Sequence, residues 1–419
     1  MGDTIIQGQI KKSNKEWTFT FFGTAIGSGI LFIPLQSGIS GIYVSVITMV
    51  LAFSVTYFAQ KYYCTIIAKC QFANSYNKAI EEYWGYSFSS FISIIFAIQL
   101  FVSILIYSTG LNTNLGEFLF AYNITGSNLS SMPIFPLLIL CVLTGFLVCS
   151  ETFLIKFLDK LTTVLILLLV IIVLLFIPFW NVKHFFSFDG NMHNAIRNAL
   201  MSFPLYMGAI NFYPAMSPMI MYYRKKYPQL SHEEQVKNAF KLNKQAIYLL
   251  GIFTGIFCLS SAMTLTPDSI NYAMTKNLSA LAVVGYHLQP GIILTIIKLL
   301  SYFVIFFALT TSFYGLMLGA IEIVSHQIRF PHSWSFKVRK KVTSIMIMLL
   351  LWIFTIINLN IIGMLGMFTS PCTGLTLFVI PTLIIFTNKR LKEYRKISTV
   401  IIFLFGLFIM VSFFIGFLM

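Results

Sequence analysis

The chain has 419 residues, of which 58% are hydrophobic and only 10% are charged, whereas a soluble domain carries roughly 25% charged residues. Its mean hydropathy is +0.84, and 43 Phe residues stand against 13 Asp and Glu. This small number of charged residues could not cover a water-exposed surface. The composition therefore excludes a soluble enzyme, a nucleic-acid-binding protein and a disordered chain. It predicts an all-α integral membrane protein whose main solvent is lipid.

Apolar windows of about 20 residues, the length that crosses a bilayer, recur eleven times along the chain. In order, these predicted spans 1 to 11 cover 19–38, 41–60, 89–112, 133–150, 153–179, 199–222, 246–266, 290–322, 342–358, 361–386 and 398–418. Span 8 is longer than one perpendicular crossing of the bilayer requires, which predicts that this helix tilts or extends past the bilayer. The apolar run after the polar segment 1–18 is longer than that of a signal peptide and contains no small-residue cleavage pattern, so we expect the N-terminus to be retained.

The positions of the basic residues predict the orientation, because Lys and Arg in short loops stay on the cytoplasmic side. With the N-terminus inside, 24 of the 28 Lys and Arg residues lie in the predicted cytoplasmic segments. The other four are Lys183, Arg197 and Lys276 in outside segments and Lys298 within span 8. The expectation is a cytoplasmic N-terminus and an external C-terminus. The formal net charge of +15 then faces anionic membrane lipid and is no signal for nucleic acid.

Two predicted spans contain clustered helix breakers. Span 1 has Gly23, Gly27 and Gly29 followed by Pro34, and span 6 has the run Asn211 to Pro218 with two prolines. Tight packing of small residues and simple proline kinks are the ordinary explanations. Breaks at corresponding positions of two halves are, however, typical of inverted-repeat transporters, whose site lies at the breaks.

Spans 1 and 6 cross in opposite directions, so spans 1–5 and 6–10 predict a 5+5 inverted repeat with span 11 as an addition. The resulting organisation is a cytoplasmic tail at 1–18, a first repeat at 19–180, an outside loop at 181–198, a second repeat at 199–386, and a loop with the last helix at 387–419.

An unwound helix suits an amino acid substrate. The backbone N–H groups at 27–29 would start the outer half of span 1, where a helix N-terminus attracts a carboxylate, and freed carbonyls would accept from the ammonium group. Phe212 and Tyr213 would flank the substrate side chain, and Asn211 would orient a polar group. The candidate substrate-binding residues are Thr24, Ala25, Gly27, Ser28, Gly29, Tyr107, Asn211, Phe212 and Tyr213.

Span 8 contains three consecutive hydroxyl side chains, Thr310 to Ser312. Such residues often bond back to carbonyls of their own helix. Alternatively, they form an all-oxygen site for a small cation together with carbonyls of span 1. The candidate ion-coupling residues are Gly23, Ile26, Thr311 and Ser312.

The segment GTAIGSGILFIP at 23–34 resembles the first-helix signature of the bacterial hydroxy/aromatic amino acid permease family of the APC superfamily, especially its serine and threonine permeases. Similar stretches follow in the same order at 211–227, 265–267, 312–322 and 358–371. The resemblance implies eleven helices, a LeuT-type core and uptake of an amino acid coupled to a cation, usually the proton, at the bacterial inner membrane. It implies no cofactor other than that cation.

The chain also departs from the serine-permease pattern. Phe212 and Tyr213 stand where that branch has His-Ser, and Thr311 stands where it has a lysine. Sodium coupling through Thr311 and Ser312 is therefore an alternative to proton coupling. An enzyme is disfavoured because the six histidines are scattered in connections; a channel and a non-transporting sensor are the more distant alternatives. The expected partners are a neutral amino acid, serine/threonine-like or aromatic, and membrane lipid.

Overall fold

A computed structural model describes residues 2–71, 75–148, 151–182, 191–284, 291–328, 331 and 333–419. Within these residues the regular secondary structure is entirely helical. The helices are α1 (Gly2–Ala25), α2 (Ser28–Ala68), α3 (Tyr76–Trp84), α4 (Tyr86–Ala121), α5 (Ile134–Val148), α6 (Glu151–Phe176), α7 (Met192–Gly208), α8 (Tyr213–Lys226), α9 (His232–Thr264), α10 (Pro267–Lys276), α11 (Ala280–Val283), α12 (Ile292–Gln327), α13 (Phe336–Ile357), α14 (Ile361–Thr387) and α15 (Ile397–Leu418).

Eight of these helices in the described part of the chain are long and apolar enough to cross a membrane: α2, α4, α6, α9, α12, α13, α14 and α15. Their outer faces expose large apolar side chains, including Ile98, Leu167 and Ile293. Extensive apolar exposure of this kind marks a surface that contacts lipid. The protein is therefore an all-α integral membrane protein, as the composition predicts.

The helices extend beyond the apolar windows because their first turns are polar. Helix α9 begins at His232, although the apolar window begins at 246. Ser231 caps it: its side chain accepts from the Glu234 N–H, and the Glu234 carboxylate accepts from the Ser231 N–H in return. This reciprocal capping stabilises a helix start that a hydropathy window does not detect.

Three interruptions of the helical backbone divide the apolar segments. The chain leaves helical geometry between Ala25 and Ser28 and again between Gly208 and Tyr213. Inside α2, Gly41 has φ 73° and ψ 171°, so α2 consists of two helical segments that meet there. The first two interruptions lie where the glycines of span 1 and the Asn-Pro region of span 6 predict breaks. Helix α2 packs against α7 and α9, and α4 packs along α12, which surrounds both breaks with other helices.

The C-terminal end of α2 is held by Arg224 of α8. Its guanidinium donates hydrogen bonds to the carbonyls of Ile67, Ala68 and Cys70 at 3.0, 3.1 and 2.7 Å, and to the side-chain oxygen of Gln235 in α9 at 3.1 Å. The last carbonyls of a helix have no partner within it and carry partial negative charge. Arg224 therefore fixes the half-helix after the second break to α2 and α9.

We expect Arg224→Ala to lower the melting temperature of the purified protein in detergent by about 3 °C or more. Loss of charged hydrogen bonds to partly buried carbonyls costs about 3 kcal/mol, which corresponds to a few degrees in a chain of this size. The matched control is Arg390→Ala, because Arg390 is an exposed residue 3.5 Å from Glu82 and such surface pairs contribute about 0–1 kcal/mol. Equal shifts in both variants would contradict the positioning role of Arg224.

Candidate functional site

The first break is stabilised by a hydroxyl group from α12. Where α1 ends, the Ile26 N–H still donates to the Phe22 carbonyl at 2.9 Å. The carbonyls of Ile26 and Gly23 instead accept from the Ser312 hydroxyl, at 2.9 and 3.3 Å. Backbone at membrane depth needs such partners, because no water is present in lipid to replace them. Ser312 thus replaces part of the hydrogen bonding that the helix loses at the break.

Gly27 lies in a contact that leaves no room for a side chain. A Cβ atom built there would lie 2.6 Å from Tyr107 Cε1 of α4 and 2.7 Å from Ser312 Cβ of α12. Glycine permits this close approach because it has no side chain. At Gly27 the first break therefore packs closely against both α4 and α12.

The second break contacts the start of α2. A Cβ atom at Gly29, in the first turn after the first break, would lie 2.7 Å from the backbone N and Cα of Ala209, so the N-terminal end of α2 touches the second unwound segment. The Ile210 carbonyl accepts from the buried amide of Gln60 at 3.1 Å. The Tyr213 N–H lies 3.4 Å from Asn211 Oδ1, so a side chain partly replaces the helical partner at the start of α8.

A cavity of about 50 Å³ lies beside these breaks. Its lining side chains are all uncharged, and several carry hydroxyl or amide groups. The lining residues are Gly29, Gln99, Leu100, Ser103, Tyr107, Pro204, Met207, Gly208, Asn211, Tyr213, Pro214, Leu316, Leu365, Thr369, Ser370 and Thr373. Four of the candidate substrate-binding residues are among them: Gly29, Tyr107, Asn211 and Tyr213.

Four of the remaining substrate-binding candidates, Thr24, Ala25, Gly27 and Phe212, do not line the cavity. The Thr24 hydroxyl donates to the Thr20 carbonyl at 2.8 Å, and Ala25 is buried at the end of α1. The ring of Phe212 is fully buried and stacks on Phe21 at a centroid distance of 4.6 Å, so it faces α1. Gly27 fills the contact described above. The side chain of Ser28 lies outside the described residues.

The ion-coupling candidates separate into two groups. Ser312, Gly23 and Ile26 come together through the hydrogen bonds given above. Thr311 Oγ1 instead lies 2.9 Å from the Phe307 carbonyl and 3.1 Å from the Ala308 carbonyl, both in its own helix. This is the ordinary pattern for a helical threonine, so the structure brings Ser312 and not Thr311 to the carbonyls of the first break.

Helix α14 contributes cavity residues that the sequence patterns did not single out. Its segments Leu365–Thr369 and Gly374–Val379 are π-helical and flank the α-helical turn Ser370–Thr373. π-helical turns are often found at functional sites. Here they flank the turn that places Ser370 and Thr373 in the cavity wall. The sequence signals of this irregularity are the proline at 371 and the glycines at 363, 366 and 374.

Gln99 of α4 connects α14 to α8. Its side-chain oxygen accepts from the Tyr213 hydroxyl at 2.8 Å, and its amide donates to Thr373 Oγ1 at 2.7 Å. The Tyr213 ring also stacks on Phe96 at 5.3 Å. Because Tyr213 and Gln99 are almost completely buried, these bonds form in a low dielectric, where an unsatisfied partner would be costly. The network fixes one wall of the cavity.

The chain is similar to known transport proteins over nearly its whole length. Residues 15–418 match the tryptophan/tyrosine permease family. The chain is 24% identical over 412 residues to a serine transporter of Escherichia coli O157:H7, covering 96% of this chain and 91% of that protein. It is 23% identical over 410 residues to the serine transporter SdaC of Escherichia coli K12, covering 95% and 93%. It is 25% identical over 408 residues to the inner membrane transport protein YqeG of the same strain, covering 94% and 96%.

Proposed function

Because the chain belongs to the tryptophan/tyrosine permease family, a family of transporters and not of enzymes, we propose that it imports a neutral amino acid together with a cation. The resemblance identified from residues 23–34 is confirmed by this membership. The observation that carries the proposal is the contact between the start of α2, directly after the first break, and the second break, at Gly29 and Ala209, beside an uncharged cavity. Substrate and cation bind at the breaks, lower the cost of closing the outer path, and leave toward the cytoplasm.

The proposed architecture has eleven membrane crossings in a LeuT-type arrangement. Helix α1 with the first segment of α2, and α7 with α8, each form one broken crossing. The second segment of α2, the shorter apolar helix α5, and the seven long helices α4, α6, α9, α12, α13, α14 and α15 supply the others. The distribution of basic residues supports a cytoplasmic N-terminus, an external C-terminus and opposite orientations for the two five-helix repeats.

The cavity supports a small zwitterionic substrate. Among the described residues no charged side chain lines it, and an uncompensated side-chain charge would be costly at this depth. A volume of about 50 Å³ is far below the roughly 300–1,000 Å³ of pockets for drug-sized ligands. The uncharged lining favours a substrate with a neutral side chain. The small volume favours a serine- or threonine-like substrate over an aromatic one, in line with the serine transporters among the relatives.

The proposed coupling ion is the proton, with sodium as the alternative. Ser312 Oγ and the carbonyls of Gly23 and Ile26 form an oxygen cluster of the kind a small cation needs. The Thr311 hydroxyl donates to the Phe307 carbonyl of its own helix. The sodium site that the sequence suggests therefore has one ligand fewer. The proton is the preferred proposal because the resemblance of the chain to the permease family usually implies it, and imposed gradients distinguish the two ions.

Uptake into proteoliposomes, measured for each of the twenty amino acids with proton and sodium gradients imposed separately, tests this function. We expect serine or threonine to accumulate when the outside is acidic. Accumulation that follows only a sodium gradient would support the alternative ion. If no amino acid accumulates under either gradient, the proposed function is wrong. Currents far above about 10³ ions per second per molecule would indicate a channel, because alternating access requires motions on the μs–ms scale.

A further inference from the structure

The hydroxyl of Thr373 is bonded differently from its neighbours in α14. Thr369, Thr376 and Thr382 each place the hydroxyl within hydrogen-bond distance of a carbonyl of their own helix, at Leu365 (2.5 Å), Cys372 (2.8 Å) and Phe378 (2.7 Å). Thr373 Oγ1 accepts a hydrogen bond from Gln99. Among the described residues it donates to no carbonyl, although the residue is 6% exposed.

A buried hydroxyl has one proton to donate, and leaving it without an acceptor costs about 1–3 kcal/mol. Thr373 lines the cavity, so a ligand in the cavity is the acceptor within reach. Gln99 has a second amide proton besides the one it donates to Thr373, and it lines the same cavity. The pair thus offers two donors at one place.

The orientation of Gln99 is fixed by the remaining network. Its oxygen accepts from Tyr213 at 2.8 Å and lies 2.9 Å from Thr376 Oγ1, which directs the amide nitrogen toward Thr373. Because the hydrogen-bonding groups are held in place before a ligand binds, little reorganisation is needed on binding. The pair is consequently a rigid recognition element.

We propose that Gln99 and Thr373 bind the side-chain hydroxyl of the substrate and so distinguish serine from alanine. This inference rests on the proposed function. The carboxylate that all amino acids share is assigned to the N-terminal end of α2 at Gly29, which leaves the groups of α4 and α14 for the side chain. A hydroxyl oxygen accepts from both donors. A methyl group accepts from neither and leaves them unsatisfied.

The size of the effect follows from this loss. A pocket that merely accommodates one more small group discriminates between two substrates by roughly 10–200-fold. A site that hydrogen-bonds a substrate hydroxyl rejects an analogue lacking that hydroxyl far more strongly, because the buried groups of the site are then left unpaired. We expect the wild-type protein to prefer serine to alanine by at least about tenfold in kcat/KM.

The test measures kcat/KM for serine and alanine on the same proteoliposomes, so that the ratio does not depend on the amount of folded protein. Thr373→Val should reduce the serine preference to about threefold or less, chiefly by slowing serine uptake. Thr373→Ser should restore it, because the hydroxyl returns. Thr382→Val is the matched control: Thr382 is buried in the same helix, bonds only to its own helix and does not line the cavity. It should keep the wild-type ratio.

An unchanged serine-to-alanine ratio in Thr373→Val would overturn the inference, as would a wild-type protein that does not prefer serine. If Thr373→Val is recovered in too small an amount, Thr373→Ala is read by the same ratio against Thr373→Ser. Failure of the proposed function is recognisable separately, because the wild-type protein would then take up no amino acid at all.

Discussion

Replacing Gly27 by alanine is expected to lower the initial rate of amino acid uptake by at least about tenfold. The added Cβ would lie 2.6 Å from Tyr107 Cε1 and 2.7 Å from Ser312 Cβ, closer than carbon atoms pack. Insertion of a methyl group into such a contact costs about 1–3 kcal/mol, and about 1.4 kcal/mol corresponds to a tenfold change in rate. The measurement is uptake into proteoliposomes at matched amounts of reconstituted protein.

Gly145→Ala is the control for this experiment. Gly145 lies within α5, and a Cβ atom built there meets no atom of the described residues within 4 Å. Alanine is a better helix former than glycine, so uptake should stay within about twofold of the wild-type rate. Normal uptake by Gly27→Ala would contradict the close contact of the first break with α4 and α12.

Ser312→Ala is expected to reduce uptake by about tenfold or more and to alter its dependence on the driving ion. The change leaves the carbonyls of Gly23 and Ile26 without the hydroxyl that they accept from. An unsatisfied buried acceptor costs about 1–3 kcal/mol, here at the backbone that is proposed to bind the cation. Initial rates measured over a range of proton and sodium gradients give both effects.

The adjacent residue provides the comparison. Thr311→Val removes a hydroxyl of similar depth whose hydrogen bonds stay within α12, so we expect uptake within about twofold of wild type and an unchanged ion dependence. A larger loss in Thr311→Val than in Ser312→Ala would refute the assignment of the oxygen cluster to Ser312 and would favour the sodium site that includes Thr311.

The positions of the helix breaks could be predicted from the sequence because glycine and proline act locally. The cluster from Gly23 to Gly29 and the run from Asn211 to Pro218 stand out within apolar segments, and the helices end at Ala25 and Gly208. Apolar length and composition likewise predict the membrane helices. Hydropathy does not indicate the polar ends of helices such as α9, because these ends depend on capping by residues such as Ser231.

The side chains of the cavity wall were harder to predict, because their directions depend on contacts distant in sequence. Phe212 lies within the second break, but its ring stacks on Phe21 from α1 and does not line the cavity. Gln99 is a single amide in an apolar helix, and its role becomes visible only beside Thr373 of α14. A polar residue in the middle of a membrane helix is costly and would have been a usable signal. The glycines and the proline of α14 are spread over residues 363–374, so they indicate its π-helical turns less clearly than the cluster from Gly23 to Gly29 indicates the first break.

The most direct test of the central claim, that substrate binds between the two breaks, is protection of a cysteine placed in the cavity wall. Asn211 lines the cavity and is partly exposed, and the native Cys141 is exposed as well. Asn211→Cys is therefore made in a background with Cys141→Ser, Cys149→Ser and Cys372→Ser, where a small thiol reagent alkylates the introduced cysteine. If substrate binds between the two breaks, a transported amino acid should slow this alkylation by at least about threefold. An amino acid that is not transported should leave the alkylation rate unchanged. An unchanged alkylation rate with a transported amino acid at concentrations that saturate uptake would contradict the central claim.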